Sequence, residues 1–296
     1  MKRFLIIQLI LSMGLTTASA QCASYFGSDY SAGKVFLMKD NRVVWEHKAP
    51  DSNDLWVLPD GNFLFTVGRG VLEVTPSNDT VFYYASESPV YACQRLKNGN
   101  TFIGECASGR LLEVSPKGKI VKEVCILPEG TANGGGGFMR NARRLDNGNY
   151  LVAHYGSQKV TEYDPDGKPV WSADVPGGPH SVIRLKNGNT LVAVADMTQN
   201  PRIAELNPQG ECVWEITNDD VPGRPFKFLG GMCYFPDGRL YFANWVGHEK
   251  PGESIHMFCV DKKNKEILCT QGTHEKLKTI SSLFVLDKKH RKKMLH

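Results

Sequence analysis

Residues 185–189 of this chain read Leu-Lys-Asn-Gly-Asn and lie between two short apolar runs, Ser181–Leu185 and Thr190–Val194. Asn-Gly between apolar runs is the strongest short-range signal for a β-hairpin, because both turn residues must tolerate a positive φ angle. Related five-residue cassettes, each led by Leu or Phe and centred on Asn-Gly or Asp-Gly, stand at residues 58–62, 96–100, 145–149 and 235–239. A hairpin that returns every 38 to 50 residues indicates a repeat architecture.

The sequence around each cassette divides into four short strands, A to D. Residues 180–216 show this most clearly, with strands at His180–Leu185, Thr190–Ala195, Ile203–Leu206 and Glu211–Ile216. The turn between the last two, Asn-Pro-Gln-Gly, has proline where φ is preset and glycine at its exit. The same order fits four more segments, residues 54–84, 91–125, 140–173 and 231–270. The pattern therefore predicts five complete four-stranded units.

Both ends of the repeat hold incomplete units. Residues 24–46 supply three strands with no strand A before them, and Ser281–Leu286 reads as a strand A with no full unit after it. We expect the C-terminal strand to complete the N-terminal unit and close a ring. The sequence thus predicts an all-β fold, a six-bladed β-propeller of four-stranded antiparallel blades, since radial repetition leaves only short sheet edges.

Residues 1–20 have the pattern of a secretory signal peptide, with a basic start, an apolar stretch and a small-residue cleavage site. The apolar stretch is too short to span a membrane. We therefore expect a periplasmic or extracellular chain in which residues 21–296 form one domain with a basic tail at about 287–296. Lipidation at Cys22 is disfavoured because Gln21 precedes it.

The formal net charge is +4 and charged residues make up 22% of the chain. Much of the positive excess lies in the signal peptide and the basic tail, so the body is close to neutral and no nucleic-acid partner is expected. We expect a monomer without a transmembrane segment.

The eight cysteines show no C-x-x-C pair and no zinc spacing, so neither a metal site nor a cofactor is predicted. Disulfides are permitted in an exported protein. The pairs Cys259–Cys269 and Cys93–Cys106 are candidates, since each pair would face across a hairpin. The alternative is that all of them are small buried hydrophobic residues.

One tryptophan recurs in three D strands, at Trp45, Trp171 and Trp214. We expect these large aromatic side chains to pack between neighbouring blades rather than to form a ligand cage.

In a propeller, the A strands line the central channel, and the D-to-A and B-to-C loops surround one mouth, where ligands usually bind. Three A strands carry Tyr91, Arg140 and His180 five residues before the cassette leucine. Together such side chains could neutralise a carboxylate or sulfate, abstract a proton and protonate a leaving oxygen. We predict these three as catalytic residues, and Arg143 is expected in a blade interface or the channel.

Further residues are predicted to bind ligand at the same rim: His154, Tyr155, Asn244, Trp245, His248 and Asn141. A histidine in such a position is often only structural, and a metal site built from the three histidines is a less favoured alternative. The glycine-rich loop at residues 129–141 either brings backbone amides close to an anion or has no such role.

Residues 180–193 follow the pattern H-x-x-x-x-L-x-N-G-N-T-L-V-A, and residues 205–215 follow E-L-N-P-x-G-x-x-V-W-E. These blades resemble those of quinoprotein-like (PQQ-like) and bacterial arylsulfotransferase-like propellers, over nearly the whole mature chain. The resemblance implies the fold, whereas many unrelated functions share such blades. It also implies that His180 matches the histidine that accepts sulfate transiently in the arylsulfotransferases. Their additional N-terminal domain, and the extra blades and calcium site of quinone-dependent dehydrogenases, are not evident here.

These observations predict an exported propeller that binds a small polar or anionic ligand, such as a sugar or uronate, at the channel mouth. Its catalytic version is a carbohydrate lyase or a transferase. The alternatives are a non-catalytic propeller that binds a protein or a glycan, and sulfuryl transfer through His180. A catalytic site requires a deep polar pocket with a perturbed histidine, whereas an interaction module would show a shallow apolar patch and a plugged channel.

Overall fold

Six four-stranded antiparallel sheets form the blades of a ring in the computed structural model, which describes residues 22–195, 200–247, 254–287, 289 and 293–296. Blade I contains β1 (Tyr25–Asp29), β2 (Lys34–Lys39), β3 (Arg42–Lys48) and β24 (Ser282–Val285), and blade II contains β4 (Leu55–Val57), β5 (Phe63–Thr66), β6 (Gly70–Val74) and β7 (Thr80–Ala85). Blade III contains β8 (Val90–Arg95), β9 (Thr101–Glu105), β10 (Arg110–Val114) and β11 (Ile120–Cys125), and blade IV contains β12 (Asn141–Arg144), β13 (Tyr150–His154), β14 (Lys159–Tyr163) and β15 (Pro169–Asp174). Blade V contains β16 (Gly178–Arg184), β17 (Thr190–Ala195), β18 (Arg202–Leu206) and β19 (Cys212–Ile216), and blade VI contains β20 (Phe228–Tyr234), β21 (Arg239–Trp245), β22 (Met257–Asp261) and β23 (Glu266–Gln271).

Helix is confined to one 3-10 turn at Asn218–Asp220 within these ranges. No described helix has the length and apolar character needed to cross a membrane. The proposed signal peptide lies outside the described residues.

The ring closes where the two ends of the chain meet in blade I. Strand β24 pairs antiparallel with β1, with Phe26 opposite Phe284 and Ser28 opposite Ser282. The expected six-bladed fold is confirmed, as is its closure by the C-terminal strand.

Each cassette forms the tight turn between strands A and B. Its glycine has a positive φ between 86° and 97°, which a residue with a Cβ rarely adopts. In all five turns the glycine N–H donates to the carbonyl of the leading Leu or Phe at 3.0 Å. The sequence repeat is therefore a repeat of one backbone conformation.

The last cassette residue also takes part in contacts between blades. Asn149 of blade IV donates to the Glu162 carboxylate on β14 at 2.6 Å, and Arg184 of blade V donates to the other oxygen of that carboxylate at 2.6 Å. The Arg184 guanidinium also lies 5.0 Å from the ring of Trp171, on the outer strand of blade IV. Contacts of the same kind join blade II to III and blade V to VI, through the sets Asn62, Glu73 and Arg95, and Asn189, Glu205 and Lys262.

The recurring tryptophans pack against the next blade, as expected. Trp45 contacts Phe63 of blade II at 4.4 Å between ring centroids, and Trp214 lies 4.5 Å from the Lys262 ammonium of blade VI.

Both predicted disulfides are corrected by the structure. Cys269 is bonded to Cys22, although Cys259 faces it across the β22–β23 ladder and remains a free buried thiol. The pairing with Cys22 was not predicted, because the two cysteines are separated by 247 residues and do not face each other across one hairpin. Cys93 and Cys106 are also free, buried thiols.

Gly230 allows blades VI and I to approach closely at the ring closure. A Cβ added there would lie 2.0 Å from the backbone oxygen of Ser281. We expect Gly230→Ala to lower the free energy of unfolding by about 2 kcal/mol or more, because the backbone has to move to relieve the overlap. Urea denaturation measures the change. Gly272→Ala is the control, since nothing lies within 4 Å of its added Cβ, and it should change stability by less than about 0.5 kcal/mol. Equal stability of the two variants would contradict this account of the closure.

Candidate functional site

A cavity of about 180 Å³ occupies one mouth of the channel. Its walls combine aromatic and polar side chains, namely Tyr30, Asn53, Arg140, Tyr155, His180, Phe228, Trp245 and Ser281. The predicted residues Arg140, His180, Tyr155 and Trp245 are therefore brought together. Tyr91 is not part of the cavity lining, but its ring packs against the Arg140 guanidinium.

Six equivalent positions form a ring at the depth of this cavity. Each lies five residues before the leucine or phenylalanine that begins the turn from strand A to strand B; they are Asn53, Tyr91, Arg140, His180, Gly230 and Ser281. Four of the six line the cavity. Extending the same count to the first cassette and to Leu286 would have identified Asn53 and Ser281, which the sequence analysis missed.

β-Bulges aim two of these side chains at the channel. The β8–β9 ladder shifts register between Val90 and Ala92, and the β16–β17 ladder shifts between Pro179 and Ser181. The unpaired residues at the two shifts are Tyr91 and His180. A bulge inserts one residue and re-aims its side chain, a feature over-represented next to active sites.

Arg140 is a cation held between two aromatic rings. Its guanidinium carbon lies 4.8 Å from the Tyr91 ring centroid and 5.1 Å from that of Tyr155. Its Nε is buried without a hydrogen-bond partner, and no carboxylate of the described residues comes within 4.0 Å of its guanidinium nitrogens. Arg140 is thus positioned by cation–π contacts, with its charge available to an anionic ligand.

His180 is a buried neutral imidazole in the cavity wall. Its ring meets the Phe228 ring edge-on at 5.2 Å, and neither ring nitrogen is hydrogen-bonded within the part of the chain that the structure describes. Burial, followed by the nearby Arg140 cation, lowers the pKa of His180 to about 3. At neutral pH the ring therefore offers a ligand one N–H donor and one nitrogen acceptor.

Aromatic rings form the remaining wall. Trp245 contacts the rings of Phe228 at 5.3 Å and Tyr30 at 6.5 Å. Burial, followed by the Asp51 carboxylate, which is also a hydrogen-bond partner of the phenol, raises the pKa of Tyr30 to about 12, so the phenol stays protonated.

Tyr30 was missed although the repeat identifies it. Tyr155 and Trp245 lie six residues beyond the last residue of their cassettes. In blade I that last position is taken by Ser24, whose carbonyl accepts from the Leu286 N–H as the last cassette residue accepts from the leading residue in the other blades. Tyr30 lies six residues beyond Ser24. Phe228 had no such signal in the sequence.

Three predicted ligand-binding residues do not reach the cavity. His154 is buried between the Phe138 carbonyl and the Tyr163 hydroxyl, each 2.8 Å from a ring nitrogen. The Asn244 side chain accepts from the Lys227 N–H at 2.6 Å and donates to the Ile255 carbonyl.

Asn141, the third, is also buried and accepts from the Val182 N–H. None of these three residues lines the cavity. His154 ends strand B of blade IV and Asn244 is the residue before the end of strand B in blade VI, and both side chains turn into their own blades. His248 lies outside the described residues.

Apart from Arg140, no residue of the glycine-rich loop lines the cavity. Gly134 donates its N–H to the Ala107 carbonyl, and Gly135 donates to the Asn133 side chain. At least two of the backbone amides that could have bound an anion therefore donate their hydrogen bonds to groups of the protein itself. Within the described ranges, no three His, Cys, Asp or Glu side chains are grouped as metal ligands.

Solved structures with low sequence identity share this fold. A protein of unknown function from Bacteroides caccae matches with a TM-score of 0.78 at 21% identity, covering 88% of this chain and 98% of that chain. Virginiamycin B lyase from Staphylococcus aureus matches with a TM-score of 0.58 at 15% identity, covering 86% and 85%. A catalytically inactive variant of that enzyme with quinupristin gives 0.57 at 14% identity, covering 92% and 93%.

No protein-family model and no curated protein matches the chain. At these identities the likeness shows the propeller fold alone. The resemblance to quinoprotein-like and arylsulfotransferase-like blades is not confirmed by these matches.

The ionisation of His180 can be measured directly. Because its folded-state pKa lies below the usual value of about 6.5, the unfolded chain takes up this proton first as pH falls from about 6.5 towards 3. Folding stability should therefore fall with pH in that window, and His180→Gln should make the slope shallower. His274→Gln, at a partly exposed site outside the cavity, is the control.

Arg140→Met should raise the pKa of His180, since it removes a nearby cation. NMR titration of the imidazole measures this change. A His180 ring that is already protonated at pH 6 in the unmodified protein would contradict the assignment.

Proposed function

We propose that the mouth cavity binds a small ring-shaped ligand that carries one carboxylate or sulfate group, a uronate being the favoured class. The observation that carries this proposal is Arg140, a cation in the cavity wall with no carboxylate within 4.0 Å among the described residues. An unpaired charge near the protein interior is costly. An anionic ligand would supply the missing partner through charge-assisted hydrogen bonds.

The size and lining of the cavity limit the ligand. A cavity of about 150 Å³ holds a molecule of the size of benzene, so about 180 Å³ fits a single ring or the end of a longer molecule. Tyr30, Tyr155, Phe228 and Trp245 offer flat surfaces to the faces of such a ring. With Arg140 as the only cationic side chain in this lining, one anionic group per ligand is favoured.

The catalytic version of this proposal is a lyase that works by β-elimination. Arg140 would neutralise the ligand carboxylate and so acidify the adjacent C–H bond. The neutral His180 ring would accept that proton, the C–H electron pair would form the new C=C bond, and the leaving oxygen would take a proton from a phenol. Tyr30 lines the cavity and is better placed for this last step than Tyr91. Two of the solved structures that share the fold are virginiamycin B lyases, which favours this reaction class among propeller activities.

Binding is tested with glucuronate and glucose as probes, by isothermal titration. We expect glucuronate to bind more tightly than glucose. Arg140→Met should weaken glucuronate binding about 10- to 100-fold, since a hydrogen bond to a charged group contributes about 1.5–3 kcal/mol. Lys186→Met is the control, because Lys186 is an exposed cation away from this cavity, and it should bind as the unmodified protein does. Equal affinity of the Arg140 variant would refute the assigned role.

Turnover is tested separately with an oligouronide and with quinupristin. Elimination produces a conjugated double bond that absorbs in the ultraviolet, and His180→Gln should abolish its appearance while glucuronate still binds. If the protein binds glucuronate but cleaves neither compound, the non-catalytic alternative is supported.

Sulfuryl transfer is favoured by one observation, the neutral imidazole of His180, which is the nucleophilic form of the side chain. Incubation with an aryl sulfate followed by intact-mass spectrometry should then show one added sulfuryl group that is absent from His180→Gln.

A further inference from the structure

The far end of the channel is filled by the last residue of the sequence. The side chain of His296 is 1% exposed, and its ring lies 4.7 Å from Trp56 and 5.3 Å from Phe284. Trp56, Phe284, Arg143 and Cys233 all stand two residues before the leucine or phenylalanine that ends strand A in their blades. They form a second layer in the channel, three residues further along strand A than the cavity.

His296 joins three blades through its hydrogen bonds. Its Nε2 lies 2.9 Å from the Leu55 carbonyl of blade II, and its Nδ1 lies 2.9 Å from the Met232 carbonyl of blade VI. Arg143 of blade IV donates from Nε to the backbone oxygen of His296 at 3.0 Å. The preceding Leu295 forms a two-way backbone bridge with Tyr234.

The two ring contacts require two donors. A carbonyl oxygen can only accept a hydrogen bond, so the imidazole must carry a proton on both nitrogens to satisfy Leu55 and Met232. An imidazole with two N–H groups is a cation. The Cys233 thiol lies 3.5 Å from Nδ1, but it also lies 3.5 Å from the Leu283 carbonyl and can donate there instead.

One buried carboxylate, that of Asp54, contacts both His296 and the neighbouring cation Arg143. Asp54 Oδ1 lies 3.5 Å from His296 Nε2, and Arg143 donates to both Asp54 oxygens at 2.7 and 3.0 Å. The charged and titratable groups that face the ring are Asp54 from the segment before β4, Arg143 from β12 and Cys233 from β20. Burial alone disfavours the imidazolium, but contacts with Cys233 and Asp54 outweigh it and raise the pKa of His296 to about 9.

We propose that residues 293–296 are an intramolecular plug, and that the far end of the channel is a cation site which holds the His296 imidazolium. The site combines a carboxylate, two backbone carbonyls and two aromatic rings. This role is separate from ligand binding at the opposite mouth and does not depend on it.

The plug should be weakened by alkali. A histidine whose folded-state pKa is raised contributes stability that is fully present below the unfolded value of about 6.5. That contribution is lost as pH rises through about 9. Alkaline pH should therefore loosen the C-terminal segment.

The charge state is tested by nitrogen-15 NMR of the imidazole in the full chain, with His296→Gln to assign its signals. We expect both ring nitrogens to be protonated at about pH 7.5, with a transition near pH 9. A single protonated nitrogen at pH 7.5 would overturn the proposal, whatever the outcome of the ligand experiments.

The cation site is tested by chemical rescue of His296→Gly, with His274→Gly, at a partly exposed site, as the control. Added imidazole should raise the melting temperature of the His296 variant at about pH 6, where imidazole is mainly protonated, and much less at about pH 9. The control should not respond at either pH. Rescue that is absent, or equal at the two pH values, would contradict a site selective for a cation.

Discussion

The fold depends on one carboxylate contact that recurs between blades. The carboxylate of a glutamate on strand C accepts hydrogen bonds from the cassette asparagine of its own blade and from a cationic side chain of the next blade. Glu162 accepts them from Asn149 and Arg184. The equivalent Glu73 and Glu205 have side chains that are only 4% and 6% exposed. A carboxylate buried to that degree is costly without partners. The cassette therefore makes the turn and also fixes how the next blade docks.

Regular docking places equivalent residues of all six blades at the same depth in the channel. The side chains of a regular strand alternate with a period of two, yet the two layers that face the channel stand five and two residues before the turn, an odd separation. In blades III and V, the bulges at Tyr91 and His180 supply the extra residue. The first layer lines the cavity, and the second encloses the plug.

The fold was predictable because its signals are local: a positive-φ glycine in a turn and apolar runs on either side. The site was predictable only in part, because, of two adjacent residues, one can be buried within its blade while the other lines the cavity. His154 and Tyr155 are neighbours, as are Asn244 and Trp245; the first of each pair holds the loop that enters its own blade, and the second faces the cavity. The residue type does not show which member of such a pair lines the cavity, whereas its position counted from the cassette turn does. The C-terminal plug had no repeat to reveal it, and the basic run before it suggested only a solvated tail.

Two histidines in the same channel have opposite ionisation, and their partners explain the difference. His296 faces two carbonyls and the carboxylate of Asp54, so the proton on its second nitrogen is stabilised. His180 is buried, faces the Arg140 cation and has no hydrogen-bond acceptor on its ring among the described residues, so a second proton is disfavoured. The Asp54 carboxylate is shared by the two cations of its cluster, Arg143 and His296. At the mouth, Arg140 lies between two aromatic rings with no carboxylate of the described residues within 4.0 Å, and this is why we propose an anionic ligand there.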